Sequence, residues 1–338
     1  MSAFRWAVIG PGGIARRFAA ALPHVAGAEL RWVLGRDMAR AQGFADAAAE
    51  PGHAPAQAVA DLAGLLAQPE LDGVYIATPH AQHGDLVRQC LLANKAVLCE
   101  KPLVPNLAQA EALVELARQR QVFLMEAVWT RFLPVYKIVQ TWLQEQAIGR
   151  LCGIQSSFCF NAPFDPSSRV YDPALAGGAL LDIGIYNLTM TRWVLQQALG
   201  ACPEPLSIQA SGMLAPTGVD QRVCGMLNFP GGLSSQFICA VDGFADNGLR
   251  IFGERGHISL NGEFSSATQA FLHRHGEPPL QVQAPLRFNG FESEIEETQA
   301  CARAGLIESP VVPHAETLAT LAWMDEIRRQ LGVRYPFE

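Results

Sequence analysis

Through roughly the first 125 residues, short apolar runs alternate with helical stretches, and that order leaves very few architectures open. Phe4–Ile9 reads as a strand that runs into Gly10-Pro11-Gly12-Gly13-Ile14-Ala15, with a helix from Ala15 to Leu22. A second strand, Glu29–Leu34, ends at Gly35-Arg36-Asp37 and precedes an Ala-rich helix from Met38 to about Ala49. Leu62–Ala67 reads as helix, Leu71–Pro79 as a buried strand with a proline stop, and His80–Ala93 as helix. Ala96–Glu100 is a strand, Ala108–Arg120 a helix and Val122–Met125 a further strand. Consecutive parallel strands joined through helices require right-handed crossovers, which predicts a doubly wound parallel sheet of the Rossmann kind, covered on both faces.

Past about residue 126 the pattern changes. Leu151–Phe160, Ser207–Leu214, Arg222–Phe229, Leu233–Val241, Leu249–Phe252, His257–Leu260 and Ala267–His273 read as strands separated by turns such as Pro230-Gly231-Gly232. Short connections predict a large, mostly antiparallel sheet. Helical stretches at about 179–198 and 292–304 interrupt it, and a last helix, Ala315–Leu331, is closed by Gly332. A chain of 338 residues exceeds one ordinary core. The expected division is a dinucleotide-binding domain over 1–125 and an α+β domain for substrate binding and dimerisation over 126–338, with the last helix packing back toward the first domain. Helices on one sheet face leave the other apolar face open, and a homodimer through this sheet is expected to bury it.

Composition narrows the partners. With 49% hydrophobic and 17% charged residues the chain is compact and soluble. A net charge of -7 disfavours nucleic acid and anionic membrane surfaces, both of which need basic patches. No apolar run approaches the ~20 residues that span a bilayer, and no secretory leader is expected. None of the eight cysteines forms a Cys-x-x-Cys pair, so buried reduced thiols and a cytoplasmic location are expected.

Gly10-x-Gly12-x-x-Ala15 would be weak on its own, but here it ends the first strand and opens a helix. Gly10, Gly12 and Gly13 allow a tight turn and close backbone approach, and the helix start at Ile14 and Ala15 presents free N–H groups to a pyrophosphate. After the second strand, Arg36 suits the 2'-phosphate of NADP. Asp37 either caps the next helix or takes the ribose 2'-hydroxyl of NAD. NADP is favoured over NAD.

Three further residues supply redox acid–base chemistry. Lys101 follows a strand end, where doubly wound sheets bind ligands. If Gly177-Gly178 opens a helix, Asp182 and Tyr186 at i and i+4 share one face. The bland readings are a surface lysine, a carboxylate stabilised by the helix N-terminus, and a packed ring with a wet hydroxyl. His80 and His83 have a His-x-x-His spacing but no third ligand, so no metal is expected.

The chain resembles the glucose–fructose oxidoreductase / inositol dehydrogenase (Gfo/Idh/MocA) family from end to end. The marks are the glycine motif, Ala77-Thr78-Pro79 with His83, Glu100-Lys101-Pro102 and Gly-Gly-x-x-x-Asp-x-Gly. Tyr186, where many members carry His, together with Met125–Pro134, Asn289-Gly290-Phe291-Glu292 and Glu308-Ser309-Pro310, is similar to the branch of dimeric dihydrodiol dehydrogenases and NADP-linked sugar dehydrogenases. The resemblance implies Lys101 and Tyr186 as the catalytic pair with Asp182 nearby. Thr78, Pro79, His83 and Glu100 then join the cofactor site, and Trp129 and Arg131 lie beside the nicotinamide or substrate. A free phenol titrates near ~10, and an ammonium close by would favour the phenolate. The expected activity is hydride transfer between NADP and a CH–OH group of a vicinal diol, such as a trans-dihydrodiol, or of an aldopyranose. A hydrolase that retains NAD and a non-catalytic cofactor sensor are the competing readings.

Overall fold

The computed structural model describes residues 3–49 and 55–338. Two compact units divide the chain: Met1–Trp129 with Arg287–Thr317, and Thr130–Leu286 with Leu318–Glu338. The segment 287–317, expected in the second domain, therefore belongs to the first unit.

The first unit holds a six-stranded sheet of β1 (Phe4–Ile9), β2 (Ala28–Leu34), β3 (Gln57–Val59), β4 (Gly73–Ile76), β5 (Ala96–Glu100) and β6 (Leu124–Ala127). Their spatial order is β3-β2-β1-β4-β5-β6, and every pair is parallel. Order reverses between β1 and β4, so a crevice opens at their carboxyl ends. Helices α1 (Gly13–Ala21), α2 (Met38–Ala47), α3 (Leu62–Leu66), α4 (His83–Leu92) and α5 (Leu107–Arg120) make the crossovers. All residues of β4, β5 and β6 are buried, as a sheet covered on both faces demands. The β1–α1–β4 junction is aromatic: Phe18 stacks on Tyr75 with centroids 3.9 Å apart, and Trp6 meets the Phe18 ring edge-on at 5.3 Å.

The second unit contains α6 (Pro134–Gln144), β7 (Leu151–Cys159), α7 (Ile185–Leu199), β8 (Ser207–Leu214), β9 (Asp220–Asn228), β10 (Ser234–Ala240), β11 (Leu249–Gly253), β12 (Gly256–Leu260), β13 (Gln269–Arg274) and β14 (Leu280–Gln283). The sheet runs β14-β13-β12-β11-β7-β10-β9-β8. Neighbours are antiparallel except β7 and β10, which are parallel. Helix α7 lies on β7 and β10 and is buried continuously from Ile185 to Leu195. Away from the helices the sheet carries a stacked His257–His273 pair and exposed Met213 and Phe252.

Helix α8 (Glu292–Arg303) lies wholly in the first unit, and α9 (His314–Leu331) starts there. The run Asn289-Gly290-Phe291-Glu292 has a local cause: the Glu292 carboxylate accepts the backbone N–H groups of Phe288 and Gly290, at 2.7 and 2.8 Å. The first turn of α9 is tied to β6, because Thr317 donates to Glu126 and His314 Nε2 meets the Leu124 carbonyl, each at 2.8 Å.

Three elements were not anticipated: α6 and the short strands β3 and β14. The stretch expected as one helix from about 179 also differs, since Leu180–Gly184 is a π-helical turn that leads into α7. Among the described residues, no helix is long and apolar enough to cross a membrane. None of the eight cysteines is joined in a disulfide, and Cys152 and Cys224 are exposed.

Phe18 is fully buried. Its replacement by Ala should cost about 3–5 kcal/mol, seen as a lower urea midpoint of the unfolding step that exposes the first unit. An unchanged midpoint would show that the Trp6–Phe18–Tyr75 stack does not hold the sheet.

Candidate active site

Gly10 ends β1 at φ +89°, where a Cβ would stand 2.8 Å from the Ala77 carbonyl oxygen and 2.9 Å from Thr78 Cγ2. Only glycine lets β1 and β4 close up there. Gly12 then donates to the Gly10 carbonyl at 2.8 Å and forms the N-cap of α1. At Gly12 and Gly13 the reason for glycine is different. No protein atom comes within 4 Å of a Cβ built at Gly13, and only the Gly10 carbonyl oxygen, at 3.9 Å, does so at Gly12. Packing within the protein therefore does not demand the missing side chains, and the room they leave suits an approaching ligand.

Helix α1 has no side-chain cap and no acidic residue in its first turn. Its leading N–H groups and the positive end of its dipole stay available to an anion. Ile14 is exposed beside them and Ala15 is buried against the sheet. Thr78 Oγ1 is buried without a hydrogen-bond partner. An orphaned hydroxyl, an uncapped helix start and open glycine backbone together fit the diphosphate of a dinucleotide.

The end of β2 distinguishes the two dinucleotides. Asp37 is the N-cap of α2, and its Oδ1 accepts from Ala39 N at 2.9 Å and Arg40 N at 3.1 Å. The carboxylate is thus engaged by its own helix. Arg36 is exposed and makes no ion pair or hydrogen bond within the described residues. A guanidinium with free donors suits a 2'-phosphate.

At the ends of β4 and β5, His83 is fully buried. Its Nδ1 lies 2.9 Å from the Pro102 carbonyl and its Nε2 2.8 Å from that of Thr78. Burial lowers its pKa, with the carbonyl contacts opposing. Lying between these two carbonyls, His83 braces the Thr78-Pro79 loop against the Lys101-Pro102 loop. The Lys101–Pro102 peptide is cis. Glu100 is buried and accepts from Tyr75 Oη. Glu126 is also buried, accepting from Leu103 N and Thr317 Oγ1, each at 2.8 Å. Lys101 itself is half-buried. Trp129 is buried, stacked on Phe291 at 5.4 Å with the Arg17 guanidinium 4.8 Å from its ring. Among the described residues, no cluster of three His, Cys, Asp or Glu side chains could hold a metal.

Asp182, Tyr186 and Arg131 belong to the second unit. Asp182 lies inside the π turn and is 5% exposed, and Tyr186 follows one residue into α7 at 8%. Arg131 is half-buried in a short 3₁₀ turn, 129–132. A π turn adds a residue to the helical register and is frequent at functional sites. Tyr186 packs its ring against Phe158 of β7 at 5.6 Å. Asp182 Oδ1 is ion-paired with Arg169 Nη1 at 3.0 Å, and that Arg side chain is 57% exposed. Arg169 was missed in the sequence, because it sits in a loop with no periodicity; only its place in the 168–173 turn next to the Gly-Gly run marks it.

Comparison with known proteins agrees with this fold. The model for the oxidoreductase family with an NAD-binding Rossmann fold matches residues 4–128, and that for the GFO/IDH/MocA C-terminal domain matches 136–259. The chain belongs to the GFO/IDH/MocA family of oxidoreductases. Its relatives include the trans-1,2-dihydrobenzene-1,2-diol dehydrogenases of Homo sapiens, 35% identical over 341 residues, and of Bos taurus, 34% identical over 342. Each alignment covers 99% of this chain and 98% of the relative. In fold it is similar to a 3-ketoreductase from Actinomadura kijaniata solved with NADP and TDP-benzene, at a TM-score of 0.85, 24% identity and 98% coverage of both chains. An aldose-aldose oxidoreductase from Caulobacter crescentus gives 0.84, 23% and 97% of both.

Arg36→Ala should weaken NADP binding by about 10–100-fold, as expected for losing a charge-assisted phosphate contact, and leave NAD binding unchanged. Titration of both dinucleotides by fluorescence checks this, and equal affinities for NADP in the two proteins would remove Arg36 from the site.

Proposed function

We propose that the protein is an NADP-dependent dehydrogenase that oxidises a CH–OH group of a trans-dihydrodiol or other vicinal diol, or of an aldopyranose. The observation that carries the NADP assignment is the division of labour after β2, where Asp37 is committed to capping α2 and Arg36 is left free. The diol assignment is supported by 35% identity to the human trans-1,2-dihydrobenzene-1,2-diol dehydrogenase over 99% of this chain.

Bound NADP supplies the hydride acceptor or donor. The chain's own residues handle the proton and the positioning. Tyr186 takes the hydroxyl proton during oxidation and returns it during reduction, with Lys101 as the second residue of the catalytic pair. The Arg169–Asp182 pair holds a buried carboxylate one turn before Tyr186, which fixes that part of the pocket electrostatically. Thr78, Pro79 and Glu100 shape the cofactor loops, His83 braces them from behind, and Trp129 and Arg131 border the nicotinamide or substrate. In this reading the Rossmann unit serves the dinucleotide and the second unit the substrate. The open face of the eight-stranded sheet, with Met213 and Phe252 exposed, is covered in a homodimer, and the enzyme works in the cytoplasm.

Purified protein should reduce NADP with members of a panel of trans-dihydrodiols and aldopyranoses. Lys101→Met and Tyr186→Phe should each lose about 100-fold or more in kcat, the usual scale for removing acid–base assistance. If NADP binds but no member of the panel turns over, or if Tyr186→Phe keeps full kcat, the assignment fails.

A further inference from the structure

The Gly177-Gly178 turn is held from three sides. Gly178 donates to the Val170 carbonyl at 2.8 Å and Gly177 to that of Asp172 at 3.0 Å, which fixes it to the preceding loop. From the C-terminal segment, Tyr335 Oη donates to the Gly177 carbonyl at 2.7 Å. From the start of β9, Asp220 Oδ2 accepts the backbone N–H of Leu180 at 2.6 Å, the residue that begins the π turn. Asp220 is 0% exposed and Tyr335 3%.

The glycines are a consequence of these contacts. A Cβ at Gly177 would stand 2.6 Å from the Val170 carbonyl oxygen. Gly178 sits at φ +124°, and a Cβ there would overlap Asp220 Oδ1. The second glycine of the signature is therefore the imprint of a buried carboxylate 42 residues further on (220 − 178).

A buried carboxylate is costly unless something is gained from it. The groups facing Asp220 are Arg328 of α9, Tyr335 and Cys239 of β10. Arg328 is shared with Glu338 and Asp325, at 2.7 and 3.1 Å. Burial pushes the Asp220 carboxyl up to about 7, against the pull of the Leu180 N–H and of Arg328.

We propose that Asp220 is a positioning residue for the reaction: it anchors the start of the helix that carries Tyr186, with Tyr335 as the opposing clamp on Gly177. The role rests on the assignment of Tyr186 as the proton-transfer group. A displacement of that hydroxyl by about 1 Å is enough to cost on the order of 100-fold in rate.

The stability consequence has a definite sign. The folded-state pKa lies above the ordinary carboxyl value of 3.8, so the folded protein holds this proton more tightly than the unfolded chain. Stability is lost as pH rises through the window from 3.8 to about 7, and the full cost of ionisation is present above it. Asn at this position does not titrate. Wild type should therefore lose thermal stability relative to Asp220→Asn between pH 5 and pH 8, in a series of melts in matched buffers.

For the positioning role, Asp220→Ala should lower kcat by about tenfold or more and displace the pH midpoint of kcat, with NADP affinity unchanged. Asp220→Asn, which keeps an oxygen acceptor for Leu180, should restore kcat to within about threefold of wild type. Tyr335→Phe should lower kcat in the same way, though less. A purely structural role would lower the melting temperature while leaving kcat and its pH profile in place, and that result overturns the proposal. If Asp220→Ala does not fold, undiminished kcat in Tyr335→Phe overturns it equally. If instead Tyr186→Phe retains activity, the assignment of Tyr186 is what has failed, whatever Asp220→Ala does.

Discussion

Carboxyl ends of parallel strands point the same way, and in this sheet the order reverses between β1 and β4. The helices after these strands leave to opposite faces, so the backbone parts at that one place. Everything in the first unit that bears on the cofactor is arranged around this parting. Gly10 closes the gap against Ala77, Gly12 and Gly13 keep it clear, and Thr78 buries a hydroxyl beside it without a partner. His83 then spans to the next loop through two carbonyl contacts, so the position of Lys101 is referred back to β4. The chemistry of the loop is inherited from strand order.

The second unit solves a different problem, that of fixing a helix start inside an apolar layer. Helix α7 is buried through Leu195, so its leading N–H groups have little access to water, and unmet backbone donors are expensive there. Asp220 answers part of that need and Arg169 compensates the next acidic group along, Asp182. Each carboxylate is answered by a partner distant in sequence. Asp182 is thereby bound to the geometry of the preceding loop and Asp220 to that of the chain's last helix, and a helix supported in this way has little freedom to slide.

Periodicity carried most of the fold. β1 and β5 begin and end where their apolar runs do, and the helical stretches of the first half are displaced by three residues at most, because buried parallel strands and amphipathic crossovers leave clear patterns. The three-residue edge strand β3 and the exposed β14 leave no such pattern. Helix α6 is another matter: Val135, Tyr136, Val139, Trp142 and Leu143 recur at helical spacing and are buried, so that signal was present. The glycine motif was legible because a local backbone demand produces it, with Gly10 held at φ +89° against Ala77. Arg169, Asp220 and Tyr335 were not, since their significance comes from contacts that only the folded chain creates. Asn289-Gly290-Phe291-Glu292 was readable as a signature, yet its meaning as a turn gathered onto the Glu292 carboxylate just ahead of α8 depended on the Glu292 contacts.

The π turn at Leu180–Gly184 sets a phase. A helix advances about 100° per residue, so one residue gained or lost within that turn would rotate every side chain after it by that angle. Asp182 would keep its place next to Arg169 while Tyr186 swung to another face of α7. The two groups thus sit on opposite sides of a hinge in register: point substitutions can exchange one side chain for another there, whereas a single-residue deletion would re-aim the whole of α7 and present a different residue at the position Tyr186 now occupies.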